Sequence, residues 1–340
     1  MATIRDIAAA TGVSIASISR ILNQDPTYKA TAETRTKVIE AAKAMNYQPA
    51  ANYRKRKKAL EKSIGCIHRL TAEKQIDSYY ASILRGIQKY LERNGYSLDF
   101  IQSQFDIADR QNLEAIFRTP CKGLIIMDTP SQETMDYIRS HVKHVVGIDT
   151  QNSDIDNVRY NRFEAGCRAM QYLIDNGHKK IAYIGSKLPK RDSLNFGRFE
   201  AYMRMMDIHG YPTYPEWQID CEWERKICFD KTLELLKAPH RPTAIFVGSD
   251  HMAMACIAAL HQMNISIPQD ISVIGISDIE ASKYLNPPLT TVAIPQLEIG
   301  EIAAEDLLSR INGTTTVPKQ IFVPTRLVIR ESVRNINAEH

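Results

Sequence analysis

The sequence contains no long apolar run and no closely spaced pair of cysteines. Its apolar stretches end well short of the ~18 to 20 residues that a membrane-spanning helix needs, and Met1–Asp6 shows no signal-peptide pattern. The six cysteines include no CxxC pair and no spacing with histidine that suits zinc. These absences predict a cytoplasmic protein with reduced cysteines, no metal site and no membrane partner.

The chain also lacks the short motifs that mark common catalytic and nucleotide-binding sites. No GxxxxGK[ST] loop, GxSxG elbow or HExxH pair occurs, and no GxGxxG follows a predicted strand. Ser140-His141-Val142-Lys143 matches SxxK, but no companion motif accompanies it, and we interpret it as helix surface. The sequence therefore predicts neither an enzyme nor a resident cofactor.

Charge is unevenly distributed along the 340 residues. Residues 1–62 contain 12 Lys and Arg against 5 Asp and Glu, whereas the remainder contains 31 against 34. A basic module joined to a mildly acidic body indicates that the module meets a polyanion. The competing interpretation is a solubilising tail, and the helical periodicity of this region argues against it.

Three short helices are predicted before residue 46. The first runs from residue 4 to residue 11, with Thr3 as its cap and Gly12 as its break. Ser14 caps the second helix and Thr31 caps the third. The inward positions of these two helices are apolar: Ile18, Ile21, Leu22, Val38, Ile39, Ala42 and Met45. Two short helices joined by a tight turn containing glycine form a helix-turn-helix, whose second helix enters the major groove of DNA.

The region from Thr3 to Asn23, with Thr34-Arg35 and Asn46-Tyr47-Gln48-Pro49, closely resembles the headpiece of the lactose-repressor/galactose-repressor family. The resemblance implies two sets of DNA contacts. The base-reading positions are Ile15, Ala16 and Arg20, and the positions nearer the phosphate backbone are Thr3, Ser14, Ser17 and Asn23. An arginine fork can pair with guanine O6 and N7. A partly buried core position remains an alternative for Ile15.

A basic segment follows the headpiece, with five consecutive Lys and Arg residues from Arg54 to Lys58. Such a run repels itself in isolation and gains by counterion release against phosphates, so we expect it to order on DNA. Family members have a hinge helix here that wedges a leucine into the minor groove. In register that position falls on Arg56, and an arginine is suited to reading a narrow minor groove. We expect Arg54 and Arg56 to contact DNA.

From residue 63 onward, short apolar runs alternate with helix-length amphipathic stretches. The runs include Ile64–Ile67, Leu98–Ile101, Gly123–Ile126, Val145–Ile148, Ile181–Ile184, Ala244–Val247 and Ile271–Ile274. This alternation predicts βαβ units and parallel sheets covered on both faces. Because roughly ten such units exceed one doubly wound sheet, we predict two similar lobes with a ligand crevice at the strand carboxyl ends.

The family resemblance continues through the body and covers nearly the whole chain. It is carried by Asn176–Ala182, Ser249–Ala253, Ile267–Gly275 and Pro287–Val292. It implies an all-α helix-turn-helix headpiece followed by an α/β periplasmic-binding-protein-like domain of two doubly wound parallel-sheet lobes. The expected boundaries are a headpiece at 1–49, a basic hinge at 50–62 and an effector-binding and dimerisation domain at 63–340.

The resemblance also implies a set of effector-binding residues. Carried over position by position, they are Asp77, Tyr79, Tyr80, Asp149, Arg198, Trp223, Ser249, Asp250, Ser277 and Asp278. Carboxylates and arginine forks bond paired hydroxyl groups, and aromatic faces cover the apolar side of a pyranose, so the set suits a sugar. Alternatives remain for Trp223 as a core anchor and for Asp149 and Asp250 as helix caps.

Family members bind sugars in this cleft in many cases, and purines or nucleosides in a few. Many family members have Asn-Asp at the positions of Ser249-Asp250 and Asp-Asp at the positions of Ser277-Asp278. This altered polar set leaves the identity of the sugar open. Similarity of the loop 23–27 to regulators of galactoside operons favours galactose or a galactoside. We expect a homodimeric repressor of a sugar-utilisation operon, bound to double-stranded operator DNA and controlled by this effector. The alternative is a solute-binding transport protein, which would carry a signal peptide and lack the basic headpiece.

Overall fold

The computed structural model describes residues 2–23, 25, 27–45, 47, 62–68, 78–103, 110–117, 121–187, 196–314 and 317–337. The chain divides into two compact units, Met1–Ser63 and Ile64–His340. The expected DNA contacts Arg54 and Arg56 and the expected effector residue Asp77 lie outside the described residues. Among the described residues, no helix is long and apolar enough to cross a membrane.

The described residues of the first unit form three helices: α1 (Ile4–Thr11), α2 (Ile15–Leu22) and α3 (Ala32–Ala44). Gly12 ends α1 in the left-handed region at φ 69°, where a residue without Cβ avoids strain. The hydroxyl of Ser14 accepts from Ser17 N–H and that of Thr31 accepts from Thr34 N–H. These caps satisfy amide groups that each helix start leaves without a partner.

The core of this unit comes from one face of each helix. Its fully buried residues are Ile7, Ile18, Ile21, Val38 and Ala42. The prediction that Ile39 faces inward is wrong, since Ile39 is 37% exposed. Val38 and Ala42 are four positions apart and share one face of α3, so Ile39, the position after Val38, turns toward solvent.

The part of the second unit that the structure describes contains two six-stranded sheets. The strands are β1 (Ser63–His68), β2 (Ser97–Ser103), β3 (Gly123–Met127), β4 (Val145–Ile148), β5 (Asp156–Arg159), β6 (Ile181–Gly185), β7 (Gln218–Asp220), β8 (Ala244–Val247), β9 (Ser272–Ser277), β10 (Thr290–Ala293), β11 (Gln320–Phe322) and β12 (Arg326–Val328). Sheet one has the order β11-β5-β4-β3-β1-β2, and sheet two the order β12-β10-β9-β8-β6-β7. β12 pairs antiparallel with β10, whereas β8 and its neighbours are parallel. Six of the seven apolar runs lie wholly in strands, and the seventh, Ile271–Ile274, begins one residue before β9. Two doubly wound lobes are confirmed.

Helices cover both sheets. They are α4 (Ser78–Arg93), α5 (Arg110–Phe117), α6 (Gln132–His141), α7 (Arg162–Asp175), α8 (Phe196–Ile208), α9 (Arg225–Leu235), α10 (Asp250–Gln262) and α11 (Gln296–Ile311). Helices α4, α5, α6 and α11 pack with sheet one to form lobe one. Helices α7 to α10 pack with sheet two to form lobe two.

The chain passes between the lobes three times. It leaves lobe one after β5 to begin α7, returns after β10 to begin α11, and crosses again between β11 and β12. The carboxyl ends of β4 and β5 and the first turn of α7 therefore lie at the boundary between the lobes. This boundary is the crevice position expected for doubly wound sheets.

Helices α4 and α11 cross at a very short distance in lobe one. A Cβ on Gly300 would lie 2.1 Å from the carbonyl oxygen of Ile83, and one on Gly86 would lie 2.1 Å from the carbonyl oxygen of Leu297. Only glycine permits this approach of backbone to backbone. The crossing holds α4, which carries Tyr79 and Tyr80 in its first turn.

Candidate functional site

Helix α2 packs one face into the core of its unit and exposes the opposite face to solvent. Ile15 is 45% exposed, and Ala16 and Arg20 are also exposed, whereas Ile18 and Ile21 are buried. This burial pattern removes the core alternative for Ile15. The three expected base-reading side chains are therefore on the open face of a helix that α1 and α3 support from behind.

The expected backbone-contacting residues lie around this face. Ser14 donates its hydroxyl to Ser17 Oγ at 2.9 Å, and the hydroxyl of Tyr28 donates to the same atom at 2.8 Å. Asn23 is exposed at the end of α2, and Thr3 is exposed at the start of α1. Together they border the open face of α2 with hydroxyl and amide groups, which are suited to phosphate oxygens.

A second group of polar side chains lies at the boundary between the lobes. Several non-glycine residues within three positions of a strand end have positive φ angles: Asp128, Asp149, Glu222, Trp223 and Asp278, at φ 63°, 57°, 50°, 61° and 56°. Such backbone strain concentrates at functional sites, where the surrounding fold enforces it. The strained positions follow β3, β4, β7 and β9, so both sheets contribute them.

Asp149 and Arg162 form a buried ion pair at this boundary. Arg162 Nη2 lies 2.9 Å from Asp149 Oδ2. Among the described residues, Asp149 Oδ1 and Arg162 Nε are buried without a hydrogen-bond partner. Burial raises the pKa of the Asp149 carboxyl, and the nearby guanidinium of Arg162 is the strongest opposing influence. The pair thus presents one acceptor and one donor to a ligand.

Arg198 approaches the same place from the first turn of α8. It is 6% exposed, donates from Nη2 to the hydroxyl of Tyr160, and leaves Nε without a partner among the described residues. Its guanidinium carbon lies 5.3 Å from the ring centroid of Trp223. Trp223 is half-buried, and the core anchor of lobe two is Trp217, which is fully buried.

Tyr79 and Tyr80 enter the cluster from lobe one. Their rings meet edge to face, with centroids 5.1 Å apart. Burial raises the pKa of the Tyr79 hydroxyl, and the charge of Asp149 raises it further. A neutral phenol beside a carboxylate acts as a hydrogen-bond donor. The described structure therefore brings together Tyr79, Tyr80, Asp149, Arg198 and Trp223.

The expected residues after β8 and β9 have other partners. Asp250 is fully buried and accepts from Ile279 N–H, Ser282 Oγ and Thr291 Oγ1, at 3.2, 2.7 and 2.7 Å. Both of its oxygens are engaged inside lobe two, which favours a structural role. Ser249 caps α10 by accepting from Met252 N–H.

Ser277 and Asp278 form a tightly held turn after β9. The carbonyl of Ser277 accepts from Gln296 Nε2 at 2.5 Å. Asp278 forms an ion pair with Arg330, whose Nη2 lies 2.5 Å from Oδ1. The turn therefore contacts the first residue of α11 and the segment after β12.

Two family descriptions match separate parts of the chain. Bacterial regulatory proteins of the lacI family match residues 3–50, and the periplasmic binding protein-like domain matches residues 170–333. The HTH-type transcriptional repressor PurR of Pasteurella multocida is 32% identical over 98% of this chain and 99% of its own length. The ribose operon repressor of Escherichia coli K12 is 33% identical over 98% of this chain and 100% of its own.

The protein belongs to the LacI family. Members of this family are DNA-binding transcriptional repressors with a ligand-binding regulatory domain, and this LacI-family chain has both parts. Solved structures support the fold. The lac repressor dimer bound to operator has a TM-score of 0.71 at 22% identity and covers 98% of this chain. A CelR–cellobiose complex has a TM-score of 0.71 at 23% identity and the same coverage.

Sequence reasoning missed two residues of the cluster in this LacI-family protein. Arg162 follows Asn161, whose side chain caps α7, and so resembles an ordinary residue of a first helical turn. Tyr160 lies just before that cap and is 1% exposed. The signal that could have found them is the position directly after β5, at the carboxyl edge of sheet one.

Proposed function

We propose that this LacI-family repressor is controlled by a neutral sugar that binds between the lobes, with galactose or a galactoside as the first candidate. The main support for this proposal is a set of buried polar atoms that have no hydrogen-bond partner among the described residues. Asp149 Oδ1 requires a donor, whereas the Nε atoms of Arg162 and Arg198 require acceptors. Hydroxyl groups donate and accept, so one polyol satisfies all three atoms. An anion could not donate to Asp149.

The aromatic side chains support the same ligand class. Trp223, Tyr79 and Tyr80 are half-buried and lie with the charged atoms at the boundary between the lobes. Aromatic faces cover the apolar side of a pyranose, while the carboxylate and guanidinium groups fix its hydroxyls. The relatives at 32 and 33% identity include both PurR and a ribose operon repressor, and they do not rank one effector above another.

On the DNA side, we propose residues 1–49 as the headpiece, 50–62 as a basic hinge and 63–340 as the effector-binding and dimerisation domain. The DNA contacts are those expected from α2 and its borders, namely Thr3, Ser14, Ile15, Ala16, Ser17, Arg20 and Asn23, and those expected from the hinge, namely Arg54 and Arg56. One headpiece reads too few base pairs for specificity, so a homodimer on a pseudo-palindromic operator supplies the rest. This function places the protein in the cytoplasm with the chromosome.

The effector acts by favouring one arrangement of the lobes. It contacts Asp149 from lobe one and Arg198 from lobe two, so its binding changes the relative angle of the lobes. The change shifts the hinges of the two protomers apart and weakens the operator-competent state. The ligand must bind the two states with different affinity to have this effect.

Calorimetry against galactose, lactose, melibiose, raffinose, glucose and purines tests the ligand class. We expect heat from a galactose-containing sugar and none from the purines. Binding of a purine in place of every sugar would overturn the proposal.

Arg198→Ala tests the site. Loss of its hydrogen bonds and stacking should abolish the effector response in an operator-release assay while leaving operator affinity unchanged, because Arg198 lies in the body. Arg204→Ala is the matched control, since Arg204 is on the same helix and its side chain is 62% exposed. A normal effector response in Arg198→Ala would exclude Arg198 from the site.

A further inference from the structure

The ion pair between Asp149 and Arg162 links the two lobes across the crevice. Asp149 directly follows β4 in lobe one, and Arg162 is the first residue of α7, which packs on sheet two. The side chain of Arg162 is 10% exposed and that of Asp149 is 8% exposed. The pair therefore forms a buried interlobe contact in the centre of the proposed effector site.

The fold fixes both ends of this contact. Asp149 has φ 57° after β4, and its amide donates to the carbonyl of Val158 in β5. Arg162 follows the Asn161 cap, and its guanidinium carbon lies 5.2 Å from the ring centroid of Tyr160. Because both backbones are held, the two free atoms, Asp149 Oδ1 and Arg162 Nε, have defined positions.

We propose that Arg162 is a further effector-site residue, which holds Asp149 ionised and oriented and donates from Nε to an oxygen of the same effector. The interlobe ion pair thereby becomes part of a bridge that runs from lobe one through the ligand to lobe two. The nature of the ligand rests on the proposed function, whereas the action of Arg162 on Asp149 does not.

Several charged and titratable groups surround this carboxylate. Arg162, Arg198 and Arg159 lower the pKa of Asp149, and burial raises it more strongly. Tyr79 also faces Asp149, and Asp128 faces Arg162. Loss of the Arg162 charge removes the largest influence that opposes burial, so the Asp149 carboxyl must take up its proton at a higher pH.

A ligand-free titration tests this effect on its own. The full chain, labelled with ¹³C at aspartate, is titrated by NMR as wild type, Arg162→Met, Arg162→Lys and Arg168→Met. Arg168 is on the same helix, is 41% exposed and pairs with Glu164, which makes it a matched control. We expect a raised Asp149 midpoint in Arg162→Met and little change in Arg162→Lys or Arg168→Met. An unchanged midpoint in Arg162→Met would overturn the proposal.

Galactose binding, measured by calorimetry from pH 6 to pH 9, tests the contact with the effector. At neutral pH, Arg162→Met should lose at least about tenfold in affinity, with partial recovery as the pH rises and Asp149 ionises. Arg162→Lys keeps the charge but lacks Nε, so its loss should be the same at every pH. Arg168→Met should bind as the wild type does.

The two measurements separate the two proposals. A shifted Asp149 midpoint together with a wild type that does not bind galactose would refute galactose as effector and leave the positioning role of Arg162 standing. Wild-type galactose affinity in Arg162→Met at every pH would refute the contact. An equal loss in Arg162→Met at all pH values would refute the role of its charge.

Discussion

Arg20 carries a guanidinium on the exposed face of α2, with its carbon 5.6 Å from the ring centroid of Tyr28. We predict that Arg20→Ala weakens specific operator binding by ~1 to 3 kcal/mol, because a bidentate contact with guanine is lost. Arg20→Lys should recover little of this, since lysine keeps the charge but lacks the fork. Fluorescence anisotropy with operator and random duplexes measures the difference.

Lys43→Ala is the control for this prediction, because Lys43 is exposed on α3 rather than on α2. It should leave the ratio of operator to random-DNA affinity unchanged. If Arg20→Ala lowers both affinities equally, Arg20 contacts phosphate only, and its base-reading role is withdrawn.

Sequence reasoning at this scale succeeded where local chemistry decides the outcome. Ser14 and Thr31 cap their helices as expected, because a hydroxyl and an amide three residues on suffice for a cap. It could not foresee that Asp250 would be saturated by its own lobe, or that Arg162 would pair with Asp149. These outcomes depend on side chains that meet only after the lobes have folded.

Among the elements, the crossing of α4 with α11 gives the sharpest prediction. Gly300→Ala should destabilise the protein by about 1 to 3 kcal/mol, because its Cβ would meet the backbone carbonyl of Ile83. Because α4 carries Tyr79, effector affinity should fall as well. Urea denaturation and calorimetry measure the two effects.

The control for this crossing is Glu305→Ala, at an exposed position of α11. It should change stability by less than about 0.5 kcal/mol. A Gly300→Ala protein as stable as Glu305→Ala would mean that the helices separate without cost, and the tight crossing would then have no role in holding α4.

Seven strands were predictable because each contains a mainly apolar run. No such signal exists for β5, β7, β11 or β12, which have three or four residues and include Asp, Arg or Gln. They become strands because neighbouring strands supply partners for their backbone groups, as Asn157 in β5 pairs with Gly147 and Gln320. Tertiary context of this kind is absent from a short sequence window.

At the scale of the whole molecule, His178 makes stability depend on pH. Its ring is fully buried, with Nδ1 3.0 Å from Thr243 Oγ1 and Nε2 3.2 Å from the carbonyl oxygen of Arg334. Burial lowers the pKa of His178 to about 4. Since the unfolded histidine titrates near 6.5, His178 stabilises the fold above about pH 6.5 and progressively less toward pH 4.

The expected loss over that interval is about 3 kcal/mol. Urea denaturation of the wild type and of His178→Asn between pH 4 and pH 8 measures this loss. The free energy of unfolding of the variant should lack this part of the pH dependence. His261→Asn, at an exposed position, serves as the control. Parallel pH profiles for the wild type and His178→Asn would contradict the prediction.

We predict that the proposed basic hinge, residues 50–62, governs the response of the DNA complex to salt. Replacing Arg54 and Arg56 by Ala should flatten the salt dependence of operator binding, with the slope falling by ~1 per lost phosphate contact.

Arg56→Leu should change the preferred central base-pair step of the operator if Arg56 reads a narrow minor groove, because a leucine wedge favours a step that kinks easily. Selection of sites from random DNA compares the two proteins, and identical central preferences would leave Arg56 a source of charge only.

The three passages of the chain between the lobes determine how new effector specificities can be built in this protein. Lobe one ends with α11 and β11, which lie beyond almost all of lobe two in the chain, so neither lobe is a contiguous stretch of gene. A single crossover with a relative within lobe two therefore separates Asp149 from α11 and β11, which belong to the same lobe. Recombination at one junction within 160–290 should yield mismatched sheets, and specificity will change most readily by point substitution.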